Sequence, residues 1–546
     1  MAYSTFTTPL ISRNSCVWKN HQTISNGIQF KSNDIITNVE QNVTTNKLSW
    51  GDLFPQILAS VVAFLLATQP GINMVYSNIF LNHYEFTDVS ELSWLTSILV
   101  FCTPIGAITI GVIMDRIGRK NAFLLTSGTL LISWSIASVA RPENMRLIYA
   151  CRFFAGIGGD FLTGMTSMVV VYVSEIAHAS HRQVLLSLNS VFFSVGVLFA
   201  TTVGSLFQWQ TVNVIFFIFT AVTTVLLVIF LPESPVWLAK FRSARTYDAR
   251  TSLRRIYPKN DQVFMEELDH LYRDSTTTAD SPEVHQPQHC IGCEQATKRR
   301  RLKRCFWWRT PQPRTVTRPV RVLAIVFLLQ QLSGCYPVIF YAVPVMRSVA
   351  GTTALGGPYS DMEAMVALGA VRLLTSVVAC ALSLHVGRRP LLIASSLAMA
   401  CSAALVALTY SPTAAPLWPL IGVAVFACSG SAGVLVFPWT LVGELLPVSV
   451  RASAGASLVA YAYTLMFVVL KAFPYAVADD DGGSVATTFA AFAAGSLAMA
   501  AYVHARLPET MGKRFDEIEA HFADDKHAAT ATRNAHCKTS YLMTPP

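Results

Sequence analysis

The chain has 546 residues, of which 52% are hydrophobic and only 13% are charged, and its mean hydropathy is +0.44. So much apolar surface excludes an ordinary water-soluble globular protein, whose core could not contain it. The composition predicts a membrane protein with many spans. Its net charge of +9 then indicates contact with a membrane surface and no role in binding nucleic acid.

Twelve apolar segments follow one another along the chain, each long enough to cross a bilayer as a helix of about 20 residues. The segments of the first half lie near 55–81, 92–113, 122–140, 147–172, 185–206 and 212–231. Those of the second half lie near 320–346, 363–385, 389–410, 416–441, 453–475 and 485–507. We therefore predict an all-α membrane protein with twelve transmembrane helices in two six-helix bundles, at 55–231 and 320–507.

The two halves repeat the same motifs at one constant offset. The repeated positions are Gly118-Arg119-Lys120 with Gly387-Arg388-Arg389, Glu175 with Glu444, and Arg182 with Arg451. A further motif, Leu231-Pro232-Glu233-Ser234, recurs as Leu507-Pro508-Glu509-Thr510 at an offset that is a few residues longer. A duplicated bundle with pseudo-symmetric halves is the simplest explanation, and such repeats are typical of secondary transporters.

Polar segments flank and separate the bundles. Residues 1–54 form a tail without the pattern of a signal peptide, and residues 508–546 form a second tail. If the helices alternate in direction, the basic turns fall on one side of the membrane and acidic residues such as Asp88 on the other. The Lys and Arg asymmetry predicts that both tails are cytosolic.

The segment 232–319 between the bundles is predicted to be a cytosolic linker, basic and partly helical. Its part from Ser243 to Tyr272 has a helical pattern with an apolar face, and the part 275–318 has the composition of a disordered segment. The run from Lys298 to Arg304 either binds anionic lipid head groups or only fixes the topology. A cluster of His285, His289, Cys290, Cys293 and Cys305 resembles a metal site but lacks a second CxxC pair, and we expect no metal and no cofactor.

Charged residues concentrate at the turns on the predicted cytosolic side. An unpaired charge at the membrane depth of Arg152 would cost several kcal/mol, so each such group needs a partner. We expect one network of Asp115, Arg119, Arg152, Glu175, Arg182 and Glu233, which holds the two bundles together and breaks when the cytosolic side opens. Further candidate gating residues are Arg116, Lys120, Arg388, Arg389, Glu444, Arg451 and Glu509.

Seven ordered motifs over about 55–519 resemble those of the sugar porters of the major facilitator superfamily. The first half has Asp115-Arg-x-Gly-Arg-Lys, Arg152-Phe-Phe-x-Gly-x-Gly, Tyr172-x-Ser-Glu-Ile-Ala and Pro232-Glu-Ser-Pro-x-Trp-Leu. The second half has Gln330-Gln-Leu-Ser-Gly, Pro438-Trp-x-x-x-Gly-Glu and Pro508-Glu-Thr-x-Gly-Lys. The chain looks most like the insect facilitated trehalose and glucose transporters. The resemblance implies a monomeric sugar carrier of the cell membrane, working by alternating access, and not an enzyme.

A sugar site needs amide groups that donate and accept hydrogen bonds, together with an aromatic plate. Gln330 and Gln331 offer the amides, and Trp439 resembles the tryptophan of the family's tenth helix. The chain departs from the family pattern at Ser190, Tyr336 and Tyr463, and Tyr341 is a further source of a replacement hydroxyl. We expect these seven residues to bind the solute, and their departures leave its identity open.

The sequence leaves two alternatives for energy coupling, facilitated diffusion and proton symport. Proton-linked carriers that resemble this chain have an acid in the first helix, but none occurs between Asp52 and Glu85, which favours facilitated diffusion. Asp160, in the fourth helix, is a possible proton site and keeps symport open. A receptor that binds sugar without transporting it is a third alternative.

Overall fold

The computed structural model describes residues 50–84, 88–159, 168–241, 246–258, 261–277, 314–354, 361–383, 385–410, 417–446, 451–477, 483–510 and 522. Nearly all of these residues are helical, as the apolar segments predict. We call the end of the bundles that carries Gly118 and Gly387 the linker end, and the end that carries His83 and Val139 the far end.

The first bundle is built from eight helices. They are α1 (Trp50–Leu66), α2 (Gln69–His83), α3 (Val89–Ile117), α4 (Arg119–Val139), α5 (Met145–Gly159), α6 (Met168–Ile176), α7 (Ala179–Leu206) and α8 (Trp209–Phe230). Three short helices follow in the linker, namely α9 (Pro235–Phe241), α10 (Thr246–Ile256) and α11 (Asp261–Thr277).

The second bundle repeats the plan with shorter pieces. Its helices are α12 (Arg314–Leu332), α13 (Cys335–Phe340), α14 (Ala342–Ala354), α15 (Asp361–Leu382), α16 (Arg388–Thr409), α17 (Leu417–Ser429), α18 (Phe437–Leu445), α19 (Arg451–Val477) and α20 (Gly483–Arg506). Five residues of π-helix, Gly430–Val434, join α17 to α18.

Local chemistry explains where these helices break. Between α12 and α13 the backbone of Gly334 has φ of 75°, a left-handed conformation that glycine adopts without steric cost. Gly118 has φ of 96° and makes the turn from α3 to α4 possible in a single residue. The break between α12 and α13 interrupts the second bundle in mid-membrane, where unwound backbone is typical of a solute path.

Ten helical stretches of the described chain are long and apolar enough to cross a membrane. The two remaining predicted spans, 147–172 and 320–346, are present as consecutive shorter helices. Large apolar side chains such as Ile218, Leu374 and Leu408 are exposed on the outside of the bundles. A continuous apolar belt of this kind fits contact with lipid and not with water.

The linker helices pack against the first bundle. Leu253, Ile256, Val263 and Phe264 are buried and belong to the same apolar cluster as Phe123. The apolar face predicted for the linker is therefore used to dock α10 and α11. The disorder predicted for 275–318, the basic run and the Cys/His cluster lie almost wholly outside the described residues.

The bundles meet where α3 packs against α19, α7 against α15, and α2 against α13, α14 and α15. At the far end Asn78 binds α13 and α14, donating to Ile339 O at 3.1 Å and accepting from Val343 N at 3.2 Å. Nearby Ser93 donates to Lys471 O at 2.9 Å, and Thr96 hydrogen-bonds the hydroxyl of Tyr341. These bonds close the far end between the two bundles.

Candidate functional site

The break between α12 and α13 places two glutamines in the protein interior. Gln330 and Gln331 are 0% and 1% exposed. Gln330 donates from Nε2 to Val434 O at 2.7 Å and so holds the π-helical segment, while its Oε1 has no partner among the described residues. Gln331 has no hydrogen-bond partner at either amide atom within the described part of the chain. Leaving buried amide atoms unpaired costs about 1–3 kcal/mol, which a ligand with hydroxyl groups would recover.

Trp439 is held in a fixed orientation through Tyr336, which follows the same helix break. Its Nε1 donates to the hydroxyl of Tyr336 at 2.9 Å. The indole also packs between Phe327 and Tyr463, with ring centroids at 4.8 and 5.3 Å. Phe327 lies one turn before Gln330 and Gln331 on α12, so the predicted tryptophan, both tyrosines and the glutamines come together at one helix break.

Two other predicted site residues use their hydroxyls elsewhere. Tyr341 is 1% exposed, donates to Leu470 O at 3.0 Å and bonds Thr96, so it belongs to the far-end contact between the bundles. Ser190, on α7, donates to Ser187 O of its own helix at 3.1 Å. Neither hydroxyl therefore offers a hydrogen to a solute in this conformation.

Arg372, on α15, is not among the predicted site residues, and its surroundings could not be predicted from the sequence. It is 3% exposed, and its guanidinium carbon lies 5.2 Å from the ring centroid of Phe193 in the other bundle. Its Nε and Nη1 atoms have no hydrogen-bond partner in the described structure. The same face of α15 carries Ser376, which hydrogen-bonds Ser194 of α7 at 2.7 Å. Arg372 therefore lies between the bundles.

At the linker end of the first bundle, Arg119 is the centre of an ionic cluster. It binds both oxygens of Glu175, at 3.0 and 2.8 Å, and Asp115 at 3.1 Å. The Arg119 side chain is 7% exposed and that of Glu175 is 13% exposed, so solvent screens this pair poorly. The predicted partners Asp115, Arg119 and Glu175 are thus in contact.

Glu233 acts in a way that the sequence did not suggest. Its carboxylate accepts from the backbone N–H groups of Arg119 at 2.7 Å and of Lys120 at 3.2 Å, at the first turn of α4. Lys120 itself donates to Val228 O at 2.8 Å. A carboxylate at a helix N-terminus satisfies orphan donors and complements the helix dipole. Glu233 therefore anchors the linker to α4.

The second bundle repeats this arrangement with differences. Arg388 pairs with Glu444, whose Oε2 has no hydrogen-bond partner within the described chain. Arg389 donates to His504 O at 2.6 Å. Glu509 lies against Gly387, as Glu233 lies against Gly118, so close that a Cβ on either glycine would collide with the carboxylate. Arg451 is the first residue of α19, and its side chain lies outside the described atoms.

Arg152 does not join the ionic cluster, and that prediction was wrong. Its guanidinium donates to Asn73 O at 3.0 Å, Leu95 O at 3.3 Å and Ser77 Oγ at 3.2 Å, and lies over the ring of Tyr76. It sits in α5, towards the far end, where carbonyl oxygens and a ring face stabilise its charge.

Arg182, another member of the predicted network, forms no ion pair with Glu175 that the described residues show, and Arg116 is one of the further gating candidates. Arg182 donates to Ala177 O and is exposed, and Arg116 is exposed beside the cluster. Burial lowers the pKa of His178, in the turn after α6, so its imidazole is neutral at pH 7 and adds no charge there. The predicted network is therefore smaller than expected.

Within the described part of the chain, the ionic clusters do not bridge the two bundles, although we expected them to hold both together. Arg119 contacts α3 and α6 of its own bundle, and Arg388 contacts α18 of its own bundle. Hydrogen bonds between described residues of the two bundles lie at the far end and in the middle, through Asn78, Thr96 and Ser194. Asp160, the possible proton site, lies outside the described residues.

The far-end contacts are functional candidates that the sequence interpretation missed. The available signal was the run of small polar residues in apolar helices, among them Asn78, Ser93 and Thr96. A further contact there places the Nζ of Lys471 at 4.0 Å from the ring centroid of Trp94. Polar residues within a span are rare and pair across helices, so such a run indicates helix contacts even though it does not name the partners.

Comparison with known proteins places the chain among carriers. Residues 59–522 match the family model described as sugar (and other) transporter. A facilitated trehalose transporter of Bombyx mori is 27% identical over 87% of this chain and 88% of its own length. Sugar transporter ERD6-like 7 of Arabidopsis thaliana is 24% identical over 79% of this chain and 86% of its own length.

Among solved structures, the fold is similar to that of the E. coli xylose transporter XylE. The complex of this proton:xylose symporter with 6-bromo-6-deoxy-D-glucose has a TM-score of 0.66, with 18% sequence identity over 86% of this chain and 100% of the other. At that identity the likeness defines the fold alone, with two six-helix bundles of the major facilitator type.

Proposed function

Because this chain belongs to the sugar transporter family, we propose that the sugar it carries is of the trehalose or glucose class. It is a multi-pass membrane transporter and not an enzyme. Relatives that span most of its length include facilitated trehalose transporters of insects, and this supports the proposed substrate class. The mechanism is facilitated diffusion by alternating access.

The observation that carries the proposal is the state of Gln331. Both atoms of its buried amide lack a partner among the described residues, and the amide lies at the helix break after which Tyr336 holds Trp439. A sugar supplies hydroxyl groups for the amide and an apolar ring face for the indole. Gln330, through its free Oε1, adds a second acceptor.

The far-end contacts define how access would alternate. In the described conformation Asn78 and Thr96 tie the two bundles together at that end. Breaking these bonds while closing the linker end would expose the same glutamines to the opposite side. The ionic clusters around Arg119 and Arg388 keep each bundle rigid during this motion.

We place the protein in the cell membrane with the linker end in the cytosol. The exposed basic residues at that end include Arg116 and Arg182, and the far end carries Asp88 and Glu91. This distribution agrees with the bias of Lys and Arg towards cytosolic loops. The described conformation is then closed towards the outside.

The proposal is tested by uptake of labelled trehalose and glucose into proteoliposomes that contain the purified protein. We expect saturable uptake that is the same with and without a pH gradient. Uptake that collapses without the gradient would instead indicate proton symport, and Asp160→Asn should then abolish the coupling. Binding of sugar without flux above protein-free liposomes would indicate a receptor.

A further inference from the structure

Arg372 places a buried positive charge in the protein that binding of a neutral sugar does not require. We propose that it forms an anion subsite beside the sugar site, so that the carrier accepts hexoses bearing a carboxylate, hexuronates, in preference to the neutral hexose. The inference rests on the proposed function, because it assigns a further part of the same solute to the same site.

Arg372 has no acidic partner among the described residues that would compensate its charge. Arg372 is 3% exposed in the middle of α15, and the polar groups near enough to act on its charge are Tyr336, Cys335 and Cys428. No carboxylate of the described chain forms an ion pair with it, in contrast to Arg119 and Arg388. An unpaired charge at this depth costs several kcal/mol, and a group retained at such a cost is a functional candidate.

Two hydrogen-bond donors of Arg372 also lack a partner in the described structure. Nε and Nη1 are buried and have no hydrogen-bond partner among the described residues. The other buried arginine in mid-helix, Arg152, has each nitrogen bonded to a carbonyl or hydroxyl oxygen and is satisfied without any ligand. Arg372 therefore differs from Arg152 in that its Nε and Nη1 lack hydrogen-bond acceptors among the described residues, and a ligand would supply them.

Arg372 also lies near the proposed sugar site. Arg372 lies close to Tyr336, whose hydroxyl accepts the hydrogen bond of Trp439. Cys335, next to Tyr336, contacts Gln330 O at 3.4 Å. The guanidinium thus flanks the same helix break that holds the glutamines, and a single solute could reach both.

Both bundles contribute to the proposed anion subsite. The ring of Phe193 on α7 covers the guanidinium, and the neighbouring pair Ser194 and Ser376 joins α7 to α15. A ligand held by Arg372 would therefore be held between the moving parts of the carrier. One positive charge matches the single negative charge of a carboxylate, and guanidinium groups bind carboxylates strongly.

The test compares uptake of labelled glucuronate, glucose and glucose 6-phosphate in proteoliposomes. For the unaltered protein we expect saturable glucuronate uptake, competition between glucuronate and glucose, and a lower half-saturation for glucuronate. Arg372→Gln should reduce the ratio of glucuronate to glucose uptake at least about tenfold, which corresponds to ~1.4 kcal/mol. Arg372→Lys should retain most of that ratio because it retains the charge.

Lys471→Gln is the matched control, because it removes an intramembrane cation that lies over Trp94 at the far end. It should leave the ratio unchanged. The inference is overturned if the unaltered protein transports glucose but neither transports nor binds glucuronate, if Arg372→Gln impairs glucose and glucuronate equally, or if glucose 6-phosphate is preferred. Failure to transport any sugar would instead contradict the proposed function itself.

Discussion

The indole of Trp439 donates a 2.9 Å hydrogen bond to the hydroxyl of Tyr336, and this bond ties α18 to the helix that begins after Gly334. The two residues lie far apart in the sequence, and each belongs to a broken span of the second bundle. Because both are 8% exposed, the bond fixes the aromatic plate relative to the glutamines on α12.

Removing the hydroxyl of Tyr336 should weaken sugar binding by releasing that plate. In Tyr336→Phe, the buried N–H of Trp439 loses its acceptor, which costs about 1–3 kcal/mol. We expect a half-saturation for sugar raised several-fold at unchanged expression, measured by uptake. Tyr410→Phe is the control, because its hydroxyl bonds Ser348 O away from the site and its loss should leave the half-saturation unchanged.

The two glutamines should respond with opposite effects on stability. Gln331→Leu removes a buried amide without partners in the described structure, so the sugar-free protein should melt at the same or a higher temperature while uptake falls at least about tenfold. Gln330→Leu also breaks the bond to Val434 O and should lower the melting temperature. A Gln331→Leu protein that melts lower and transports normally would remove Gln331 from the site.

Loss of Arg119 should destabilise the first bundle. Arg119→Ala leaves the 13% exposed carboxylate of Glu175 without its partner, and breaking a buried pair in this way costs about 3–5 kcal/mol. We expect a clear drop in melting temperature, measured in detergent by thermal unfolding. Arg116→Ala, at an exposed neighbouring position, should change stability by no more than about 0.5 kcal/mol. Equal effects of the two changes would show that the cluster is not a stability element.

Loss of Asn78 should favour opening of the far end. Asn78→Ala removes two bonds between the bundles, each contributing about 0.5–1.5 kcal/mol. We expect a reporter cysteine at Val338, in a background without native cysteines, to react faster with an impermeant maleimide applied at that end. The control is Asn213→Ala, which breaks a bond to Ala137 O within one bundle. If both variants change the reactivity alike, the contact is not a gate.

Sequence reasoning reached the fold because long apolar segments and a repeated motif at Gly118 and Gly387 are local signals. It also paired Asp115, Arg119 and Glu175 correctly, since a short turn leaves few partners for a charge. It failed for Arg152 because backbone carbonyls and a ring face can stabilise a guanidinium, and no sequence pattern reveals that.

Part of the proposed sugar site could be suggested from the sequence for the same reason. Gln330, Gln331 and Trp439 were identified by residue type, and their chemistry does not depend on the exact packing. Tyr341 was assigned to the solute, whereas its hydroxyl is occupied by Thr96 and Leu470. The role of Glu233 at the start of α4 also required tertiary structure, because the carboxylate and the N–H groups come from distant segments.

The most direct test is the sugar-dependent thermal stability of the purified protein and of Gln331→Leu. A sugar present at about 100 times its dissociation constant should stabilise the unaltered protein by about 2.7 kcal/mol, because it binds only the folded state. We predict that trehalose or glucose raises the melting temperature of the unaltered protein and has no effect on Gln331→Leu. The same rise in both proteins, or in neither, would contradict a sugar site at the break between α12 and α13.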